Sequence, residues 1–295
     1  MVTTGINWVR QIIFTLTTVL LSVLAVDSVQ AQVNTGKVSF TTGVDFTNAY
    51  FFRGIKQERE GLIIQPYADM NFTVFDTGQS LSNITFTLGT WNSFHAGPSG
   101  TLASEKNVST WYEADFFTGL TLNIDNWEAN VTYSSYMSPN GSFGTVQEIL
   151  LGLTMDDSAF LGVVALSPHA SLAIEMKGQA DGGNSEGMYL EFGVEPGLDI
   201  IDNRASVAFP ITLGLSLNNY YENGIDSSIP THFNDTFGYL DLGATVSMPI
   251  PIPKEYGSWE LSGGIHLLTL GEYLESLNTN DNFQAIGSFG VSISY

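Results

Sequence analysis

The residues with the most chemistry in this sequence are acids at alternate positions. Asp45, Asp69, Glu113, Asp115, Glu191 and Glu195 each fall on the polar face of a run that alternates apolar and polar residues. Asp241 and Glu260 do the same, and Glu128, Glu148 and Glu175 share that parity. Carboxylates lined along one hydrated face concentrate cations and repel anions, the basis of a cation-preferring pore. The same residues also suit a solvated interior with no selectivity, so both readings stand at this point.

Basic residues number only nine against thirty acids. Three of the nine cluster in Phe51-Phe52-Arg53-Gly54-Ile55-Lys56-Gln57-Glu58-Arg59. Arg53 shares the parity of Asp45, which predicts either an ion pair with an inward carboxylate or a constriction that positions an anion. Lys56 and Arg59 are expected in a loop facing outside solvent. The histidines, His95, His169, His232 and His266, stand in no recognisable nucleophile setting. There is no glycine-rich phosphate loop, no metal-spaced His or Cys cluster, and no calcium-loop spacing around Asp181 or Asp226. No enzyme activity, cofactor or metal is expected.

Strands must carry these acids, because the repeat along the chain is two rather than 3.6 residues. Leu240, Leu242, Ala244, Val246 and Met248 alternate with Tyr239, Asp241, Gly243, Thr245 and Ser247. The end of the chain does likewise, with Phe289, Val291, Ile293 and Tyr295 on one face and Ser288, Ser292 and Ser294 on the other. An aromatic last residue preceded by apolar residues at alternate positions is the pattern expected of a barrel-assembly signal.

Such runs recur at Lys37–Arg53, Leu62–Phe75, Leu81–Phe94, Ser109–Ile124, Trp127–Met137 and Val146–Met155. They continue at Ala159–Lys177, Gly187–Leu198, Ala205–Asn219, Thr236–Met248, Ser258–Leu270 and Asn282–Tyr295. About twelve strands, many of ten residues or more, suit tilted membrane crossings with an even strand count. Short even-numbered connections (Asp76 to Ser80, Asp125-Asn126, Asp156 to Ser158) alternate with longer odd ones. Pro249 to Gly257 is the exception, read as a stiff turn because alternating prolines cannot continue a ladder.

Residues 1–31 read as a cleaved signal peptide, with Arg10, an apolar run from Ile12 to Val26 and a Val29-Gln30-Ala31 cleavage site. Residues 32–295 then form one domain. A net charge of -21 speaks against nucleic acid, whose phosphates would be repelled, and the chain has no cysteine for disulfides or lipid attachment.

Tyr50, Phe52, Arg53, Gly54 and Gln57 match the Tyr-x-Phe-Arg-Gly-x-x-Gln stretch with which a family of Gram-negative porins, called TorF-type, opens its barrel. The segments LSPHASLAIEM, GMYLEFGVEP and PIPIPKEYGSWELSGGIHLLTLGE are similar to that family in the same way. The resemblance implies a barrel and a pore, and no particular substrate.

The expected fold is therefore all-β, a single transmembrane antiparallel up-and-down barrel in the bacterial outer membrane. The expected function is passive diffusion of small solutes, with Asp45, Arg53, Asp69, Glu113, Asp115, Glu191, Glu195, Asp241 and Glu260 lining the pore. Expected partners are outer-membrane lipid, the barrel assembly machinery and small solutes; the number of subunits is not legible. Two other readings remain: a non-conducting structural or loop-binding barrel, and a secreted β-sandwich that binds a ligand.

Overall fold

The computed structural model describes residues 36–76, 81–100, 110–200, 204–222 and 234–295. The expected signal peptide lies outside these residues, as do Asp226 and His232. Within them the first half forms β1 (Val38–Thr47), β2 (Tyr50–Phe52), β3 (Ile55–Glu58), β4 (Ile63–Asp76), β5 (Leu81–His95), β6 (Trp111–Ile124), β7 (Trp127–Met137) and β8 (Val146–Met155). The second half forms β9 (His169–Lys177), β10 (Met188–Val194), β11 (Gly197–Ile200), β12 (Ala205–Ala208), β13 (Ile211–Asn218), β14 (Phe237–Ile250), β15 (Ser258–Leu270) and β16 (Phe283–Ser294).

Twelve of these strands close into an antiparallel barrel, each bonded to its sequence neighbour. Closure comes from β16, which pairs with β15 on one side and with β1 on the other, in register Thr41↔Ser294 through Thr47↔Ser288. No sandwich has this pairing, since its two sheets do not join edge to edge. The amide of Tyr295 donates to Phe40 O at 2.8 Å and that of Phe40 to Tyr295 O at 2.9 Å, so the last residue completes the seam.

The alternation sorts side chains as expected. On β14, Leu242, Val246 and Met248 are exposed outward, while Asp241 on the opposite face reaches His266 across the lumen wall. Exposed aromatics ring both ends of the apolar band: Trp111, Phe237 and Phe283 where strands begin at the end with the long connections (the loop end), and Phe75, Trp127 and Tyr295 at the end with the short turns (the turn end). An apolar outer band between aromatic girdles around a polar inside is the architecture of outer-membrane barrels.

Three expectations need correction. The first strand stops at Thr47 instead of reaching Arg53, because the chain turns into the barrel there. The seventh begins at His169 instead of Ala159: Pro168 has no amide for the ladder, and the Asp157 carboxylate accepts the amides of Leu166 (3.0 and 3.1 Å) and Ser167 (3.0 Å), making residues 156–168 a capped turn. Third, the segment from Gly187 to Asn219 is broken by an added hairpin, β11–β12, whose second strand leans on β14.

Glycines supply room on the inner wall. Gly43, Gly89, Gly193 and Gly214 stand directly opposite Tyr67, Phe117, His169 and Tyr239 on the neighbouring strand. In each pair a Cβ on the glycine would run into the partner's ring, so the ring lies over the glycine.

Candidate functional site in the barrel lumen

The connection between β1 and β4 folds into the loop end of the barrel as the hairpin β2–β3. Its two-residue turn is Arg53-Gly54, both with positive φ (49° and 80°), the backbone of a type I′ turn. Gly54 is suited to this; Arg53 carries a cost of about 1–2 kcal/mol for the left-handed conformation. Gly54 is wedged between Leu274 and Tyr239, where any Cβ would clash.

Arg53 is fixed from several directions. Its guanidinium makes a two-pronged ion pair with Glu148 on β8, at 2.7 and 2.9 Å, and donates to the Tyr220 hydroxyl at 2.6 Å. It also lies over the rings of Tyr189 (4.6 Å) and Phe52 (4.8 Å). The Tyr221 hydroxyl donates to Arg53 O at 2.9 Å. Around this bolt Ile55, Tyr189, Tyr220, Tyr221, Tyr273 and Leu274 form a buried cluster, brought together from three connections and the barrel wall.

A second network holds the other side of the hairpin. Glu58 accepts the Gly97 amide at 3.0 Å and the Ser99 hydroxyl at 3.3 Å, and lies 3.1 Å from His95 Nδ1. His95 Nε2 meets Ser93 Oγ at 2.8 Å. The order Glu58–His95–Ser93 is that of an acid–base–nucleophile relay, yet Ser93 is 0% exposed, so no substrate reaches its oxygen and the relay acts as a tether. Tyr112 donates to Gln57, Tyr50 packs at a tilt against Trp91 at 5.3 Å, and Phe52 meets Tyr136 edge-on at 5.1 Å. Burial holds the Glu58 carboxyl up at about 7 despite its two donors. In the connection after β9, burial likewise pushes Asp181 up to about 8, against the amides of Glu222 and Gly183.

Turn-ward of the hairpin lies a cavity of about 460 Å³. Asp45, Gln65, Asp241 and His266 supply its polar wall, and Tyr50 and Phe51 part of its apolar one. His266 Nδ1 lies 2.7 Å from Asp241 Oδ2, whereas Asp241 Oδ1 is buried without a partner.

The residues expected to line a pore thus divide. Asp45 and Asp241 face the cavity; Arg53 is at the hairpin turn rather than on a barrel strand. Glu113 and Asp115 are buried (4% and 7% exposed) beside the inserted hairpin, and Glu191 accepts the hydroxyls of Tyr189 and Tyr239 at 2.5 and 3.1 Å. Asp69 accepts from Asn71 at 2.6 Å, Glu260 is opposite Ser292 on β16, and Glu195 lies just past β10, its amide bonded to Leu166 O at 2.7 Å. Of the assembly residues, Phe289, Val291 and Ile293 pair with Phe46, Val44 and Thr42 along the seam.

One placement reverses expectation, and one breaks the strand alternation. Lys56 is fully buried rather than in outside solvent, because its strand lies inside the barrel, while Arg59 is half-buried and donates to Thr279 at 2.6 Å. Tyr112 turns inward, since a register shift at Ser93/Phe94 breaks the alternation and sets it beside His95, 4.2 Å between ring centres. The Glu58–His95–Ser93 network was missed too; its one sequence signal is that Ser93 and His95 share the inward parity of β5.

No protein-family model matches the chain, and no curated protein matches it in sequence. Among solved structures it is similar to the translocator domain of the autotransporter NalP from Neisseria meningitidis, at 11% identity and a TM-score of 0.43 over 90% of each chain. It is also similar to the NanC porin, at 10% identity and a TM-score of 0.44 over 86% of this chain and 98% of that one.

Proposed function

We propose that this chain is a channel of the Gram-negative outer membrane for small solutes, of the TorF type that its first hairpin resembles, with a preference for cations and a plug at its outer mouth. The observation that carries the reading is the cavity beneath the inserted hairpin with Asp45 and Asp241 on its wall: a barrel serving only as a wall has no use for an internal chamber lined with carboxylates. Placing the loop end outside puts β2–β3 at the exterior and the C-terminal seam in the periplasm. Cation preference follows from inward carboxylates with few inward bases, of which Arg53 is already neutralised by Glu148. In this reading the Ser93 relay does no chemistry.

Planar bilayers test it. A potassium chloride gradient should give a reversal potential of cation-preferring sign, with small unitary currents that grow when residues 48–61 are replaced by a short glycine-serine link. Anion preference, or silence in both proteins, overturns the proposal. Silence in both would favour a second reading supported by the filled loop end, a non-conducting barrel that displays its outer connections.

A further inference from the structure

We infer that residues 158–166, in the connection between β8 and β9, dock into the membrane leaflet at the turn end, where phospholipid acyl chains cover them. The stretch folds as one helical turn, α1 (Ser158–Leu161), followed by a single 3-10 turn (Gly162–Val164). Phe160 and Val163 are 73% and 91% exposed, and Leu161, Val164 and Leu166 are exposed beside them. Apolar side chains left uncovered together mark a contact surface. In sequence no charged residue stands between Ser158 and Leu166, whereas Asp76, Asp125, Asp202, Arg204, Lys254 and Glu255 put charge into the other connections at this end.

What covers the stretch follows from where it is held. Its two ends are bonded at the level of the aromatic girdle: Met155 pairs with the girdle residue Trp127, the Asp156 amide donates to Asn126 O at 2.8 Å, and the Met155 amide donates to Pro168 O at 3.0 Å. The apolar turn therefore starts at the depth where headgroups meet acyl chains. The 3-10 turn lies against β11, and the Glu195 amide donates to Leu166 O at 2.7 Å. On β11 the exposed Leu198 is opposite Val207, which is opposite the outward Val246 of β14. The exposed apolar surface thus runs into the lipid-facing band.

The backbone points to the same medium. Hydrocarbon offers no hydrogen bonds, so a segment that enters it must find partners for its own amides. The amides of Phe160 and Leu161 donate to Asp157 O at 2.9 Å, that of Gly162 to Ser158 O, and that of Ala165 to Gly162 O at 3.2 Å. Those of Leu166 and Ser167 go to the Asp157 carboxylate, itself buried. A protein partner is held in place by polar groups around the contact, and Ser158 is the one polar side chain in the stretch. Acyl chains ask for none.

The inference rests on the membrane barrel and stands whether or not that barrel conducts. The chain has no cysteine, so Phe160→Cys and Val163→Cys each give a single site for a nitroxide spin label. Leu242→Cys, outward on β14, is the lipid control, and Lys254→Cys, exposed in the turn before β15, is the water control. Each labelled mature barrel is reconstituted in vesicles of phosphatidylethanolamine and phosphatidylglycerol and checked for heat-modifiable migration. Spin-relaxation measurements then give its collision rates with oxygen and with a neutral nickel chelate. Labels at 160 and 163 should meet the chelate at least about threefold less often than the label at 254, and oxygen at least as often, as the label at 242 does. Chelate access at 160 and 163 equal to that at 254, beside a lipid-like 242, overturns the inference and leaves the barrel standing; a water-like 242 as well overturns both. Low access to both agents, with spin–spin broadening between labels, puts a second copy of the chain over the turn and also overturns the inference.

Discussion

Arg53 and Glu148, ninety-five residues apart in sequence, meet inside the barrel in a two-pronged ion pair at 2.7 and 2.9 Å, with Glu148 only 1% exposed. The contact joins the turn of the inserted hairpin to the wall strand β8, and it holds Arg53 in a backbone conformation that a non-glycine residue seldom adopts. The pair therefore fastens the plug rather than decorating it.

Breaking one partner should show this. Arg53→Met leaves Glu148 buried without a counter-charge, and Glu148→Gln does the same to Arg53; removing one member of such a pair costs about 3–5 kcal/mol. Lower thermal midpoints and larger or noisier single-channel currents are expected from both variants. A double substitution to Met and Leu should recover much of the midpoint while the currents stay raised, because packing returns and the fastening does not.

Acidity should tighten the plug. Glu58 and Asp181 have folded-state values of about 7 and about 8, above their ordinary 4.5 and 3.8, so both take up protons when the connections pack. Their contribution to packing is fully present below about pH 4 and is lost as pH rises through 7 and 8. Protection at Ile55–Glu58, measured as exchange relative to the intrinsic base-catalysed rate at each pH, should fall from pH 5.5 to pH 8.5, and Glu58→Gln should remove the part of the change centred near 7. His95 and Glu60, which face or neighbour Glu58, stay in place in that variant. Protection that is flat in pH, or that rises with pH, contradicts this assignment.

Deleting Tyr295 removes both hydrogen bonds to Phe40, worth about 0.5–1.5 kcal/mol each, at the seam where the last strand joins the first. If Phe289, Val291, Ile293 and Tyr295 are also what the assembly machinery recognises, the deletion should slow assembly and lower the yield of heat-modifiable barrel while export continues. Normal membrane levels of the shortened chain would remove that role.

Glycine positions offer a direct contrast. Gly89→Ala drives a Cβ into the Phe117 ring and should cost about 1–3 kcal/mol, whereas a Cβ at Gly287 meets nothing nearer than Asn48 Oδ1 at 3.8 Å and should change the midpoint little. Denaturant titration in detergent micelles reads both.

The barrel itself was legible because alternation is local: each of Leu242, Val246 and Met248 announces its face by its neighbours, and the turns between strands mark the count. The plug was not. Its hairpin carries Lys56, Glu58 and Arg59, and a charged segment beside a glycine reads as solvent-exposed unless the partners that bury it are known. Those partners, Glu148, Tyr220, Tyr112 and Leu274, are far away in sequence and come together only after the barrel has closed. Asp45 and Asp241 were read as inward from parity alone, but parity says nothing of the cavity they share. Alternation counted back from the exposed Phe116 sets Tyr112 outward, and the bulge that turns it inward leaves no mark in composition.

The rings that lie over Gly43, Gly89, Gly193 and Gly214 bear on how the strands find one another. Sliding either strand by one position would set a Cβ, or a β-branched side chain, under the ring where the glycine belongs. Each pair thus works as an alignment pin, penalising misregistered neighbours one junction at a time. Correct stagger is then checked strand by strand as the wall grows, before the last edge has met the first.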